Sequence, residues 1–242
     1  TLIMRMKYLL REQDNKPPEL NAKPYEMLIL TFSNEAADEL RNRIEEEFGA
    51  DVAEEMEITT FHGFGHSFLL AHEMTLDEDY QILDESRQEE LILDLLGKVE
   101  CDSVFDLKRP EETARNCVRQ ICRLKERRVS PDILQAAIEQ WSEDEPAKRL
   151  EQTRATEFLN LFRAYEEAKT NLAAVDFADL INLPLDLLEK KPELVEAVRA
   201  KYKWVMVDEY QDVSRAVAML LGKICGSGNP PWVVGDMRQA IY

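Results

Sequence analysis

Apolar residues recur along this chain in two rhythms, and the places where one gives way to the other divide it into regions. Leu2, Met6, Leu9 and Leu10 fall on one face of a helix. After a linker rich in Pro and Asn, from Asn15 to Pro24, the run Met27 to Phe32 has the length and unbroken apolarity of a buried strand. Asn34 to Phe48 returns to the helical period, with Ser33 or Asn34 available as its cap and Gly49 as its stop. Glu57 to Phe61 reads as a short third element of strand character, followed by Gly63, Gly65 and a helix through His72. The order helix, strand, helix, strand, helix predicts a parallel sheet with crossover helices.

From about Thr75 to Thr170 strand signals vanish and amphipathic helices take over: Ser86 to Leu96, Pro110 to Arg127, Ser130 to Trp141 and Ala147 to Lys169. Ser130-Pro131 is a helix-start signal, with Pro at the first helical position. Trp204 to Val207 and Trp232 to Val234 then restore the strand pattern around a helix, Ser214 to Cys225. The expected fold is therefore an α/β domain formed by 1–74 and 171–242, interrupted by an all-helical subdomain at 75–170. Thr1 is not a natural initiator, and the chain stops directly after a strand, so the sequence reads as an excerpt of a longer protein.

Charge narrows the function classes. Lys and Arg number 30 against 48 Asp and Glu, a net charge of −18. Such a chain does not grip duplex DNA by diffuse electrostatics, although a local basic groove stays open. The four cysteines have neither disulfide nor metal spacing, which points to scattered structural thiols in a reducing cytoplasm. No apolar run approaches the roughly 18 residues of a membrane span, and the N-terminus lacks a signal-peptide layout.

The most informative stretch is Lys203 to Asp212, where an apolar burst ends in two adjacent carboxylates, Asp208 and Glu209. A buried parallel strand delivers its last residues to the edge where α/β sheets bind ligands. An Asp there can hold the Mg²⁺ that bridges nucleotide phosphates, and a neighbouring Glu can polarise the attacking water. The competing reading is that these acids cap the next helix. His62 and His66 are four apart, but two intervening glycines and no supporting acids argue against a shared metal.

Five blocks coincide with one family in that family's order. They are Leu30-Thr31-Phe32-Ser33-Asn34-Glu35-Ala36-Ala37, Thr60-Phe61-His62, Asp176-Phe177-Ala178-Asp179-Leu180, Val207-Asp208-Glu209-Tyr210-Gln211-Asp212 and Val234-Gly235-Asp236-Met237-Arg238-Gln239-Ala240-Ile241-Tyr242. Over nearly its whole length the chain resembles the N-terminal half of a UvrD/Rep-type superfamily 1 DNA helicase. The resemblance implies a RecA-like P-loop NTPase sheet with an inserted helical subdomain, ATP and Mg²⁺ as cofactors, and single-stranded DNA and single-strand/duplex junctions as partners, with repair or recombination proteins beside them. It implies that Asp208 binds Mg²⁺, that Glu209 activates the hydrolytic water and that Gln239 senses the γ-phosphate, a task suited to a neutral amide. Outside that context Gln239 reads as a surface helix-start residue. Tyr242 corresponds to an aromatic of the single-strand path, where a ring can stack on any base. Phe32, Asn34, Phe61 and His62 resemble residues lining the same path, with Thr31, Ser33 and Thr60 offering hydroxyls or nearby N–H groups to phosphates. Core packing explains Phe32 and Phe61 equally well.

Asp176, Phe177 and Asp179 are expected to hold local loops rather than touch DNA. The basic cluster Arg123, Lys125, Arg127 and Arg128 reads either as a DNA contact or as a solvated helix face. Two departures from the family stand out. Glu35 replaces its usual Lys, which weakens a phosphate contact there, and no GxxxxGK[ST] loop occurs in the chain. In the family that loop ends just before a segment like Thr1-Leu2-Ile3, so it is expected immediately ahead of Thr1, and the isolated fragment is expected to be inactive. The expected activity of the parent is ATP-driven single-strand translocation and unwinding in the 3′ to 5′ direction. Rival readings are the motor subunit of a helicase–nuclease, a non-hydrolysing relative that binds DNA or proteins, and a metal nuclease built on Asp208, Glu209 and Asp212.

Overall fold

A computed structural model describes residues 2–10, 21–72, 80–99, 108–141, 146–226, 228–236 and 238. The chain divides into two compact units, Thr1–Ala71 with Leu183–Tyr242 and His72–Asn182.

In the first unit the elements run α1 (Leu2–Leu10), β1 (Met27–Thr31), α2 (Asn34–Phe48), α3 (Ala50–Glu55), β2 (Glu57–Thr60) and α4 (Phe61–Ala71). In the second follow β3 (Gln81–Leu83), α5 (Glu85–Leu96), α6 (Pro110–Glu126), α7 (Pro131–Glu139), α8 (Pro146–Asn171) and β4 (Ala174–Asp176). The chain passes back within α9 (Asp179–Lys190) to α10 (Pro192–Lys201), β5 (Trp204–Val207), α11 (Arg215–Cys225) and β6 (Trp232–Val233). Caps set the starts: Ser33, Asp84, Ser130 and Ser214 each accept a backbone N–H from the first turn of their helix. Gly49, at φ 94°, ends α2 in a conformation that a residue with a Cβ rarely adopts.

The first unit's sheet has the order β2-β1-β5-β6, with every neighbouring pair parallel. β1 is buried along its whole length, because parallel strands carry helices on both faces. Met27, Ile29, Met206 and Ile58 pack with Leu2, Met6 and Leu9 of α1 and with Ala37, Leu40 and Ile44 of α2. Burying that many side chains, at roughly 1.5–3 kcal/mol each, is the main term holding the sheet to its helices.

The second unit is not all-helical. β3 and β4 form a two-stranded parallel sheet within it, with Ile82 opposite Val175. Three-residue strands are too short to show a two-residue rhythm, which is why the sequence of this region reads as helices alone. Its helical core joins Ile92 and Leu96 of α5, Cys117, Val118 and Ile121 of α6, and Leu161, Phe162 and Tyr165 of α8. Among the described residues, no helix is long and apolar enough to cross a membrane.

A polar cluster lies beside that core. Lys125 on α6 and Lys169 on α8 are both buried, as are Asp176 and Asp179. Lys125 Nζ lies 2.6 Å from Asp176 Oδ2 and Lys169 Nζ 2.9 Å from the same oxygen, and both ammonium groups also reach Asp179 and Glu166. Tyr165 donates its hydroxyl to Asp176 at 3.1 Å. The two aspartates complete one another through the backbone, Asp176 Oδ1 accepting Asp179 N–H and Asp179 Oδ2 accepting Asp176 N–H. Burial alone pushes the Asp176 carboxyl up, but Lys125 and Lys169 outweigh it and hold the group well below the usual carboxylate range. Burial likewise works against a charged Lys125, and Asp179, Asp176 and Glu166 reverse it, raising that ammonium above its ordinary value.

The basic cluster of α6 therefore splits. Arg123 and Arg127 are exposed, but Lys125 is neither a DNA contact nor a solvated residue. It continues the buried stripe Ala114, Val118, Ile121 by one helical turn. Arg128, at φ 62°, turns its guanidinium to Asn182, whose carbonyl and side chain it reaches at 3.4 and 3.3 Å.

Candidate active site at the sheet edge

Four of the five sequence blocks leave strands of one sheet at the same edge. Phe32 and Ser33 follow β1, Phe61 and His62 follow β2, Asp208 and Glu209 follow β5, and Val234 to Asp236 follow β6. The chain steps from β1 outward to β2 and later returns to the other side of β1 with β5. That reversal is the switch point at which α/β sheets open a ligand crevice beyond the carboxyl ends of their strands. Asp208 sits on it: its backbone N–H donates to Leu30 O of β1 at 3.0 Å, extending the β1–β5 ladder by one bond.

The Asp208 carboxyl is half-buried. Burial pushes its pKa upward and the Glu209 charge adds to the rise, while the Glu209 N–H, at 3.1 Å from Oδ1, and Arg43 pull it back. No ion pair reaches Asp208 or Glu209 among the described residues. A partly desolvated carboxylate that no ion pair reaches is suited to receive a cation. Mg²⁺ is ordinarily held by one or two carboxylates with substrate phosphates and water completing its shell. Asp208, with Glu209 beside it, offers a donor set of that kind, and no cluster of three candidate metal ligands occurs among the described residues. The same fact leaves Asp208, Glu209 and Asp212 short of a nuclease-type carboxylate cage.

Glu209 adopts a left-handed backbone conformation, φ 51° and ψ 43°, rare for a residue with a side chain. It stands at the N-cap position of the one-turn helix Tyr210–Asp212, but its side chain makes no capping hydrogen bond there. The left-handed turn lifts Glu209 out of the strand direction at a cost of order 1–3 kcal/mol, a form of strain that clusters at functional sites. The surrounding loop is fixed by Tyr210 N–H to Val234 O at 2.8 Å and Val234 N–H to Val207 O at 2.9 Å. Gln211 completes it, its amide donating to Glu209 Oε2 while its oxygen accepts Asp236 N–H at 2.9 Å. No role fell to Gln211 from the sequence, because its partners lie on two different strand ends.

The residues expected along a single-strand path separate into two groups. Thr31 is wholly buried and its hydroxyl donates to Ser33 O at 3.0 Å. Phe61 is 1% exposed and belongs to the core, its ring 5.0 Å from that of Phe32. Phe61 opens the first turn of α4, which points its ring inward. Thr60 is also buried, with its hydroxyl accepting Gly63 N–H at 2.9 Å. Gly63 itself is needed there, since a Cβ would lie 2.5 Å from Thr59 Oγ1. Phe32 and His62 are half-buried, and Ser33 and Asn34 are exposed. Ser33 Oγ is occupied by the α2 cap, and burial lowers the His62 pKa, favouring a neutral ring at pH 7. Gln239 and Tyr242 lie outside the described residues.

Comparison with known proteins adds an independent line. The chain is 30% identical over 243 aligned positions to DNA helicase II of Salmonella typhimurium and 31% identical over 244 to ATP-dependent DNA helicase PcrA of Staphylococcus aureus, in both cases across 100% of its own length. With DNA helicase II of Escherichia coli it shares 30% identity over 224 positions, 92% of the chain. It spans about 30% of the length of each of these relatives. The model for the UvrD/REP helicase N-terminal domain matches residues 1–242, and the chain belongs to that family.

Proposed function

We propose that this chain forms most of the first RecA-like motor domain of an ATP-dependent DNA helicase, and that residues 72–182 are a subdomain inserted into it. The observation that carries the reading is the acid pair at the switch point: Asp208 half-buried with no ion pair among the described residues, and Glu209 held beside it in a strained turn. Asp208 is the residue to hold Mg²⁺, which when bound neutralises phosphate charge and orients the scissile group. Glu209 accepts a proton from, and aligns, the attacking water, a role for which its exposed carboxylate is free on one oxygen. Gln239 is assigned to phosphate sensing and Tyr242 to base stacking through the family resemblance.

Phe32, Ser33, Asn34 and His62 are the accessible part of the single-strand path, on the same sheet edge as the acid pair. Placing nucleotide and strand on one edge lets a single rearrangement of its loops serve both. Translocation with 3′ to 5′ polarity and unwinding at single-strand/duplex junctions follow from the resemblance, and a helicase–nuclease motor subunit would use this domain in the same way.

The test is ATP turnover by the full-length protein with and without single-stranded DNA, followed by unwinding of duplexes carrying a 3′ or a 5′ tail. Stimulation by single strands and unwinding from the 3′ tail are expected. Turnover indifferent to DNA would sink the motor reading, and unwinding only from the 5′ tail would reverse its polarity.

A further inference from the structure

Building on that reading of Asp208 and Glu209, we infer that Gln211 is a positioning residue that ties the Glu209 carboxylate to the segment leaving β6, so that displacement of that segment moves the catalytic base. Three observations carry it. First, the two ends of one side-chain amide are both used: Nε2 donates to Glu209 Oε2 and Oε1 accepts the Asp236 N–H at 2.9 Å. An amide is the side chain that can donate to a carboxylate and accept from a backbone N–H at once. Second, the space at the far end is close-packed around a glycine. A Cβ on Gly235 would stand 2.5 Å from Gln211 Oε1 and 3.1 Å from the backbone nitrogens of Tyr210 and Gln211. The β6 exit is thereby allowed to come close enough for the Asp236 N–H to reach the amide. Third, Glu209 is the strained member of the loop, and apart from this amide no hydrogen bond or ion pair reaches its carboxylate among the described residues. A carboxylate on a left-handed turn, half released from the strand ladder, needs an external tether to keep one direction.

Immediately after the bridge, Asp236 Oδ1 accepts the Arg238 N–H at 2.9 Å. The backbone from Val234 to Asp236 meets the acid loop at Tyr210 N–H and at Gln211 Oε1. A shift of this segment pulls on the amide oxygen, and the rigid amide plane carries the shift to Glu209.

The two halves of the bridge can be cut separately in the full-length protein. Gln211→Glu keeps an oxygen for the Asp236 N–H but loses the donor to Glu209, whereas Gln211→Ala loses both. Three readouts are taken: single-strand-stimulated turnover, ATP affinity, and peptide-resolved hydrogen exchange across 234–236. Gln211→Ala is expected to lower kcat about 10- to 100-fold with ATP affinity within about 2-fold, and to speed exchange at 234–236. Gln211→Glu is expected to lose turnover comparably while exchange stays native. Gly235→Ala is expected to reproduce the Gln211→Ala loss, and to add no more than about 2-fold when Gln211 is already Ala. Turnover within 2-fold of wild type in Gln211→Glu overturns the inference, as do multiplicative losses in the Gly235→Ala/Gln211→Ala pair. A purely structural role would move exchange and turnover together in both Gln211 variants, which also overturns it. Failure of the proposed function looks different, because wild-type protein would then show no DNA-stimulated turnover, while the exchange arm still reports whether the bridge exists.

Discussion

Two pairs of acids follow short parallel strands in this protein, and they have opposite fates. Asp176 ends β4 and with Asp179 is buried against Lys125 and Lys169, whereas Asp208 and Glu209 follow β5 and meet no ion-pairing cation among the described residues. The first pair is saturated: reciprocal backbone bonds, two ammonium groups and a tyrosine hydroxyl use its lone pairs. The second is left with unused capacity and a strained backbone. A carboxylate after a strand is therefore not a site in itself. What separates structure from chemistry is whether the fold supplies the counter-charge or leaves it to a ligand.

The contrast breaks most sharply at Glu209. Glu209→Gln is expected to cut DNA-stimulated turnover by about 10²- to 10⁴-fold, with ATP binding and thermal melting unchanged. Unchanged turnover would remove Glu209 from its role. On the other side, Asp176→Asn leaves two buried lysines short of charge and should destabilise the second unit by about 3–5 kcal/mol in denaturant unfolding. A loss below about 1 kcal/mol would mean that the buried cluster is no more than a surface-like ion network.

Aromatics offer a smaller version of the same comparison. Phe61→Ala should cost about 3–5 kcal/mol of stability by opening a core cavity. Phe32→Ala should instead weaken single-strand affinity by about 1–3 kcal/mol in a binding titration at fixed salt. Equal effects of both on DNA affinity would undo the division between support and path.

The mildest expectation concerns pH. Because its folded pKa is depressed, Asp176 contributes stability that is present above its unfolded value near about 3.9 and is lost as pH falls through the lower folded value. Lys125 is raised, so its contribution is complete below about 10.4 and lost as pH rises through the higher folded value. These two groups should leave stability level from about pH 5 to 9, checked by melting across that range. Asp208 has the opposite sign, its pKa raised by burial, so ionising it opposes folding once pH exceeds the unfolded value. Asp208→Asn should accordingly raise stability at pH 7 by less than about 1 kcal/mol, since the group is partly solvated.

Much of the fold was legible along the chain for a physical reason. β1 and β5 are continuous apolar runs because both faces of a parallel strand are covered, and α2 announces itself through Ser33, its helical period and Gly49. β3 and β4 were silent at three residues each. Lys125 did leave a signal, standing four residues after buried Ile121 on the apolar stripe, but charge type overrode period in the reading of it. For Thr31 and Phe61 the residue types fit a nucleic-acid path, and only the structure shows that both are buried at the strand ends.

By itself the sequence determined the order α1, β1, α2, β2, α4 and the return β5, α11, β6, their parallel sheet and the acid pair at a strand's end, since these depend on local periodicity and on contiguous residues. The tertiary structure alone decided that Asp208 stands at the β1–β5 switch point, that Glu209 takes a left-handed turn and that Gln211 joins it to Asp236. It also decided which acids are neutralised, Lys125 and Asp176 being 51 positions apart in sequence. Those outcomes rest on contacts between distant segments, whose distances and desolvation no local pattern encodes.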